Sequence, residues 1–261
     1  MKFIDIHGHY AWDIDDGIQT MPETVKALRI ASQQGISHIV ATPHMCCGKI
    51  DQDNRAILMK RMESFKKLAQ RYSIDVTFGC ELMLNQKIKD TLAEDLFIPI
   101  GKTPYLLCED DVRKKEPDFI EVFDIYLKEV IYAGYKPIVA HVERYFHDDI
   151  DLEFIRYLID MGCYIQVNTT SILGLSHAQH HKNALKLIDS QLIHIIATDT
   201  HQAEGTRVPN MKECYDYLLK KGYQERYIHL LMNENPKRVV NNRTLLTPHF
   251  HSTKKLFSFL K

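Results

Sequence analysis

The chain has 261 residues, 45% of them hydrophobic and 26% charged, with a formal net charge of -1 at pH 7. That length can bury a sizeable core and suits one α/β barrel, while the near-neutral balance excludes a general basic field for nucleic acid. No apolar run approaches the roughly 20 residues that span a bilayer, and the polar opening Met1-Lys2-Phe3-Ile4-Asp5 is too short for a signal peptide, so a soluble, cytoplasmic protein is expected.

The first expected strand, 3–6, runs into His7-Gly8-His9 and then the acidic loop Asp13-Ile14-Asp15-Asp16-Gly17. Thr20 followed by Glu23 is a capping-box pattern that opens a helix, and Gly35 ends it. A strand at 38–41 leads to Thr42-Pro43-His44. Leu58, Met62, Phe65 and Leu68 then mark one face of a helix over 51–72. Strands at 75–78 and 105–108 are followed by Gly79-Cys80-Glu81 and by Glu109. A helix over 118–133 stops at Gly134, and a strand at 137–140 meets His141 and then Val142-Glu143-Arg144-Tyr145. A helix over 151–161 stops at Gly162. Strands follow at 164–167 and 194–197, the latter leading to Asp199, His201 and, further on, Arg207. Asn235-Pro236 opens a last helix with proline in its first turn.

Strand–helix alternation with nearly continuous apolar strands implies a parallel sheet covered on both faces. About seven strands in this length favour a (β/α) barrel. An open doubly wound sheet is the alternative, but no GxGxxG follows the first strand. No repeat, low-complexity tract or linker interrupts the chain, so one domain over 1–261 is expected. Its tail, 244–261, interleaves Phe250, Leu256, Phe257, Phe259 and Leu260 with Lys254, Lys255 and Lys261. A last helix packing its apolar face on the domain is the reading preferred there to a docking segment.

The metal-type ligands fall where strands end: His7, His9, His44, Glu81, Glu109, His141, Asp199 and His201, with Asp16 in the loop after the first strand. In a parallel barrel these ends share one face. One such residue would ordinarily be a satisfied polar group. Nine together crowd carboxylates at a cost of several kcal/mol that divalent cations relieve, and mixed imidazole and carboxylate donors suit zinc, manganese or iron. Arg144 and Arg207 are candidates for binding phosphate oxygens through the guanidinium fork. His38 and His194 open strands, and His147, His229, His249 and His251 lack ligand-rich surroundings. His177, His180 and His181 have helical spacing that suits a solvated loop or helix face better than a metal site.

The six cysteines, Cys46, Cys47, Cys80, Cys108, Cys163 and Cys214, form no CxxC pair and are expected reduced. None has an arginine six positions on, which disfavours a cysteine-nucleophile phosphatase. Tyr10, Trp12, Tyr145 and Phe146 lie near the ligands, as flanks for an aromatic substrate or as core.

HGH near the start, DIDDG, ATPH, GCE, AHVERY, MGCYIQVN and ATDTH together resemble the polymerase-and-histidinol-phosphatase superfamily, over residues 3–242. Within it the chain is most similar to bacterial manganese-dependent protein tyrosine phosphatases encoded with capsular and exopolysaccharide genes. The resemblance implies a distorted (β/α)7 TIM-like barrel with three divalent metal ions, manganese first, and iron, cobalt or zinc as substitutes. His7, His9, Glu81 and Asp199 would hold one ion. Glu81 would bridge to a second with Glu109 and His141, and Asp16, His44 and His201 would hold the third. Arg144 and Arg207 would bind substrate phosphate. The implied reaction is hydrolysis of phosphotyrosine by water that the metals activate, on a bacterial tyrosine autokinase controlling polysaccharide synthesis. A small-molecule phosphatase such as histidinol-phosphatase, and a catalytically silent metal-binding partner, are the alternatives.

Overall fold

A computed structural model of the chain describes residues 2–111 and 116–248, with the backbone alone for 116–121. β1 (Phe3–Gly8) is buried throughout and longer than its apolar run, because it carries His7 inward before it ends. α1 (Met21–Gln33) starts as its cap predicts, with the Thr20 side chain accepting from the Glu23 amide. The capping box is only half made, however. The Glu23 carboxylate accepts from the Ala203 amide at 3.2 Å instead, tying this helix start to the loop that carries Arg207.

β2 (Ile36–Ala41) breaks at Thr42-Pro43 and resumes as β3 (His44–Cys46) before α2 (Gln52–Ala69), which Asp51 caps. β4 (Asp75–Phe78) likewise breaks at Gly79-Cys80 and resumes as β5 (Glu81–Met83), followed by α3 (Ile88–Ala93). Pro43 has no N–H to give the ladder, although its carbonyl still accepts from Glu81 N at 3.0 Å. β6 (Tyr105–Glu109), α4 (Glu116–Tyr132), β7 (Lys136–Val139), α5 (Leu152–Asp160) and β8 (Tyr164–Asn168) follow as the sequence predicts, within a few residues at their ends.

Three helices that the sequence reading lacks come next. α6 (Thr169–Ile172) and α7 (Ala178–Asp189) precede β9 (Ile195–Ala197), and α8 (Met211–Lys220) follows it. Neither α7 nor α8 has a side-chain cap: the oxygen of Asn210, ahead of α8, accepts instead from Thr169 Oγ1 at 2.5 Å. The last helix begins ten residues before Asn235. α9 (Glu225–His229) passes through a π-type turn, Leu230–Glu234, into α10 (Asn235–Val240). Pro236, which cannot donate to the preceding turn, explains the widened winding.

All pairings between these strands are parallel. The two breaks divide the expected single barrel sheet. Among the described residues there is a three-stranded sheet, β1-β2-β4, and a six-stranded sheet, β3-β5-β6-β7-β8-β9. β1 reaches the end of β9 through one parallel bridge, Gly8 to Thr200. Buried Asp5 strengthens that seam, accepting from Thr198 N and Oγ1 and from the Tyr10 hydroxyl. Side chains on both strand faces are buried. Ile4, Ile6, Leu107, Ile138, Ile195 and Ala197 form a cluster closed below by Val239 and Leu245. A larger cluster lies under the helices, with Phe65, Phe123 and Leu187 among its members. Of the tail, Leu245 is buried and Leu246 is bonded to Asn235, while residues 249–261, where the expected last helix falls, lie outside the described residues.

The turn after β7 is held by Asn183 of α7. Its oxygen accepts from Ile150 N at 3.0 Å, and its amide nitrogen reaches the carbonyls of Phe146 and Asp148 at 3.1 and 3.0 Å. Arg144 belongs to this turn, so a buried amide fixes the approach of a candidate site residue. Asn183→Ala strands those backbone groups, and we expect a loss of roughly 2–4 kcal/mol in unfolding free energy, read by urea denaturation. A loss below ~1 kcal/mol would show the turn to be held by other contacts.

Candidate metal centre

The strand ends bring all nine candidate ligands together. His7 and His9 flank Gly8, whose amide donates to Thr42 Oγ1 at 3.0 Å and whose missing side chain makes room for the Tyr10 ring. The loop after β1 folds back as Ile18 N donates to the His9 carbonyl. Gly17 passes so close that a Cβ there would lie 2.3 Å from that of His9, so glycine is required in DIDDG. Asp15 ties the loop down, accepting from Gly17 N, from His44 N at 3.0 Å and from His9 Nδ1 at 2.7 Å.

Glu81 stands at the centre. Its Oε2 lies 3.1 Å from Nε2 of both His7 and His9, and its Oε1 lies 2.9 Å from His141 Nε2. Asp199 Oδ1 is 3.3 Å from His7 Nε2. His44 faces two ways, with Nδ1 2.8 Å from Glu109 Oε1 and Nε2 3.2 Å from Asp16, to which His201 Nε2 also comes within 3.4 Å. Three overlapping groups have the donor spacing to hold an ion: His7-His9-Glu81-Asp199, His9-Asp16-His44-His201 and His44-Glu81-Glu109. His141 borders the third, with its Nε2 3.6 Å from Glu109 Oε2. Glu109, rather than its neighbours Asp110 and Asp111, is the residue that reaches the cluster; Asp110 turns away and accepts from the Asp111 amide.

A layer behind the cluster sets the imidazole tautomers. The backbone N–H of His141 can only donate, and it meets Gln166 Oε1 at 3.0 Å, which fixes the orientation of that amide. The same oxygen faces His7 Nδ1 at 3.0 Å, so Nδ1 carries the proton and Nε2 offers its lone pair. Gln166 Nε2 then donates to Asn168, and Asn168 Nδ2 donates to Asp199 Oδ2 at 2.8 Å. Asp15 does the same for His9, and the Asp199 carbonyl for His201. Asp15, Gln166 and Asn168 were not singled out from the sequence. Their signal is a pair of alternate polar residues in the otherwise apolar YIQVN and a second aspartate in DIDDG.

Divalent cations fit this donor set. Two donors each ~2.1 Å from one ion sit roughly 3–3.4 Å apart, the spacing seen here. Buried His44 Nδ1, Glu81 Oε2, Glu109 Oε1 and His201 Nε2 have no hydrogen-bond partner although charged neighbours are near, so they point at shared space rather than at one another. The backbone bends for the same purpose. His141 (φ 33°) and Asp199 (φ 53°) both take left-handed conformations at strand ends.

Without cations, protons take their place. Burial works against a charged His7, yet Glu81 and Asp199 outweigh it and raise its pKa to about 9. Burial opposes charge on His44 too, but Glu81, Asp16 and Glu109 push it up to about 12. Burial, and then Glu81, raise Glu109 to about 7. His141 and His201 are held down to about 4, first by burial and then by Arg144 and His9 respectively.

Both candidate arginines converge on Asp199. Arg207 Nη2 donates to both its oxygens at 2.7 Å, and Arg144 Nη1 lies 3.3 Å from Oδ2. They line a cavity of about 450 Å³ together with Asp16, His44, Glu109 and His141. Of the nearby aromatics, Tyr10, Tyr145 and Phe146 are core residues, while Trp12 is partly buried beneath Arg61. Six free cysteines agree with the reduced thiols expected, and burial pushes Cys47 up to about 11, which makes it a poor nucleophile. His194 is a core histidine whose Nδ1 accepts from Ile165 N. His177, His180 and His181 lie at the start of α7, outside the cluster.

Parallel strands that deliver imidazoles, carboxylates and arginines to one cavity define an α/β protein with a candidate polynuclear metal centre. Residues 3–241 match the family described as capsular polysaccharide synthesis, CpsB/CapC, and the chain belongs to that family. It is 28% identical over 246 residues to the tyrosine-protein phosphatase CpsB of Streptococcus agalactiae serotype III (strain NEM316), covering 92% of this chain and 98% of that protein. It is 28% identical over 262 residues to the tyrosine-protein phosphatase YwqE of Bacillus subtilis (strain 168), covering 98% and 99%. A crystal structure from work on YwqE of Bacillus subtilis and CpsB of Streptococcus pneumoniae, described as metal-dependent tyrosine phosphatases, superposes with a TM-score of 0.74. It shares 26% identity and covers 94% of this chain and 97% of that one.

A pH dependence follows for protein stripped of metal. His7 and His44 have folded-state pKa values above the ordinary 6.5, and Glu109 above 4.5, so each stabilises the fold while protonated and loses that effect as pH rises through its folded value. The depressed Glu81 and Asp199 contribute in the opposite sense, above their ordinary 4.5 and 3.8, and the depressed His141 and His201 destabilise only below about 6.5. Between about pH 6.5 and 9 the sign is therefore single. Chelator-stripped protein should melt at progressively lower temperature across this window, and metal-loaded protein should not. A flat or rising melting temperature for the stripped protein would refute the charge assignment.

Proposed function

We propose that this chain is a metal-dependent protein-tyrosine phosphatase. The observation that carries the reading is the set of three overlapping donor groups sharing His9, His44 and Glu81 beside two arginines. His7, His9, Glu81 and Asp199 hold one ion. Glu81, Glu109 and His141 hold a second, with His44 beside them, and Asp16, His44 and His201 hold the third. Manganese is the ion expected first. The strand passes form a distorted (β/α)7 barrel broken at Thr42-Pro43 and Gly79-Cys80; the inner cluster, which draws side chains from both sheets, supports this.

When bound, the ions lower the pKa of water and draw charge from the phosphoryl oxygens. The chain supplies the rest. Arg144 and Arg207 turn part of their donor forks from Asp199 to the phosphate, orienting it for in-line attack and offsetting charge as it develops. Gln166 and Asp15 hold His7 and His9 in the tautomer that keeps Nε2 unprotonated. A phenol, with pKa ~10, leaves more readily than an alkanol, so a phosphotyrosine substrate makes less demand on a dedicated general acid.

The proposed substrate is a bacterial tyrosine autokinase that regulates polysaccharide synthesis; the names of the relatives, tyrosine phosphatases, and of the family, one of capsular synthesis, support the reading. The cytoplasm is the proposed site of action. Among the described residues no helix is long and apolar enough to cross a membrane.

Turnover of a phosphotyrosine peptide against histidinol phosphate, with manganese, iron, cobalt or zinc supplied, tests the reading. Preference for histidinol phosphate would make the chain a small-molecule phosphatase, and no turnover with any ion would make it a binding partner only. Asp199→Asn keeps a residue that tolerates the left-handed backbone, so the variant should stay folded. Its metal content should fall and its kcat should drop by more than roughly 100-fold. Full turnover in that variant would remove Asp199 from the centre. Arg144→Ala should keep its metal, by elemental measurement, and lose roughly 10²–10³ in kcat/KM.

A further inference from the structure

A second cavity, of about 370 Å³, shares Arg144 with the reaction cavity and is otherwise lined by His147, His177, Gln179 and His180. Among the described residues no carboxylate lines it. His177 and His180 stand at the start of α7 with ring centroids 5.5 Å apart, and the buried Nδ1 of His180 has no hydrogen-bond partner. Burial, and then Arg144, His177 and His147, hold the His180 pKa down to about 4, so its imidazole is neutral at pH 7 and keeps one N–H to donate. Asp149 lies beside Gln179, but Lys182 at 2.5 Å and Lys186 at 3.9 Å counter its charge. The positive end of α7 adds to the same field. Gln179 Nε2 is already engaged with Asp148 O, Asp149 Oδ1 and Asn183 Oδ1, so the guanidinium of Arg144 and the imidazole N–H groups give the wall its character, which complements an anion and repels a lysine.

We infer that this cavity is a subsite for an acidic side chain, aspartate or glutamate, flanking the phosphotyrosine of a protein substrate. The inference rests on the phosphatase reading and deepens it. Arg144 joins the two cavities, so one peptide occupies both, with the phosphate on the metal side and the carboxylate against His177 and His180. A small phosphate monoester has nothing to place there.

The experiment scans a single glutamate, and separately a single lysine, through the positions flanking phosphotyrosine in an otherwise alanine-rich peptide, with the metal-loaded full chain. At one flanking position glutamate should raise kcat/KM roughly tenfold over alanine, mainly through KM, and lysine should lower it. In a His177→Ala/His180→Ala variant the glutamate-to-alanine ratio should fall towards one. The alanine peptide is the denominator, so a general loss of activity cancels. His177→Glu, at an exposed position, should reverse the preference towards lysine. Equal rates at every position, or a preference that survives both variants, overturn the subsite and leave the phosphatase reading standing. Failure to hydrolyse any of the peptides overturns both.

Discussion

Glu81, Glu109 and Asp199 are carboxylates buried within reach of one another, and water cannot screen their repulsion. Everything around them answers that constraint. Five imidazoles and two guanidiniums converge on the three groups, and where cations are lacking His7 and His44 retain protons far above their usual range. The same charge density suits the assembly to hold divalent cations, which on binding would displace protons rather than fill an empty hole. Because His9, His44 and Glu81 each belong to more than one donor group, ions bound in neighbouring groups would be coupled energetically, the first orienting residues that the next would need.

The fold meets this demand with backbone breaks and a polar second layer. Splitting two strands at Thr42-Pro43 and Gly79-Cys80 lets His44 and Glu81 begin new segments that pair with each other, so two donors come into register on adjacent strands. Gln166, Asn168 and Asp15 then fix which nitrogen or oxygen faces the cluster. Asp5 and Asn183 act one layer further out, closing the β1–β9 seam and fastening the turn that carries Arg144.

The sequence showed most of the nine donors because each follows an apolar strand, where a charged residue has few other reasons to be. It chose Asp16 in an acidic loop whose residue types treat Asp15 and Asp16 alike; the loop geometry gives them different partners, His9 for Asp15 and His44 with His201 for Asp16. Gln166 and Asn168 were missed because neutral amides carry no charge signature, although two polar side chains in one buried strand are costly unless they are bonded. The strand breaks escaped because hydrophobic pattern reports burial rather than ladder continuity. α7 and α8 escaped because they begin without capping side chains, and Tyr10, Tyr145 and Phe146 turned out to be core because proximity in sequence says nothing about the direction of a ring.

His141 and Asp199 hold left-handed backbone conformations that only glycine adopts without cost, at on the order of 1–3 kcal/mol each. Glycine at either position would relax the chain and delete a donor in the same stroke. Heat resistance and the metal centre therefore compete for these two residues. A lineage or an engineer seeking a hardier protein gains nothing there without giving up the centre, and must find its stability in the helices and loops on the far side of the sheets.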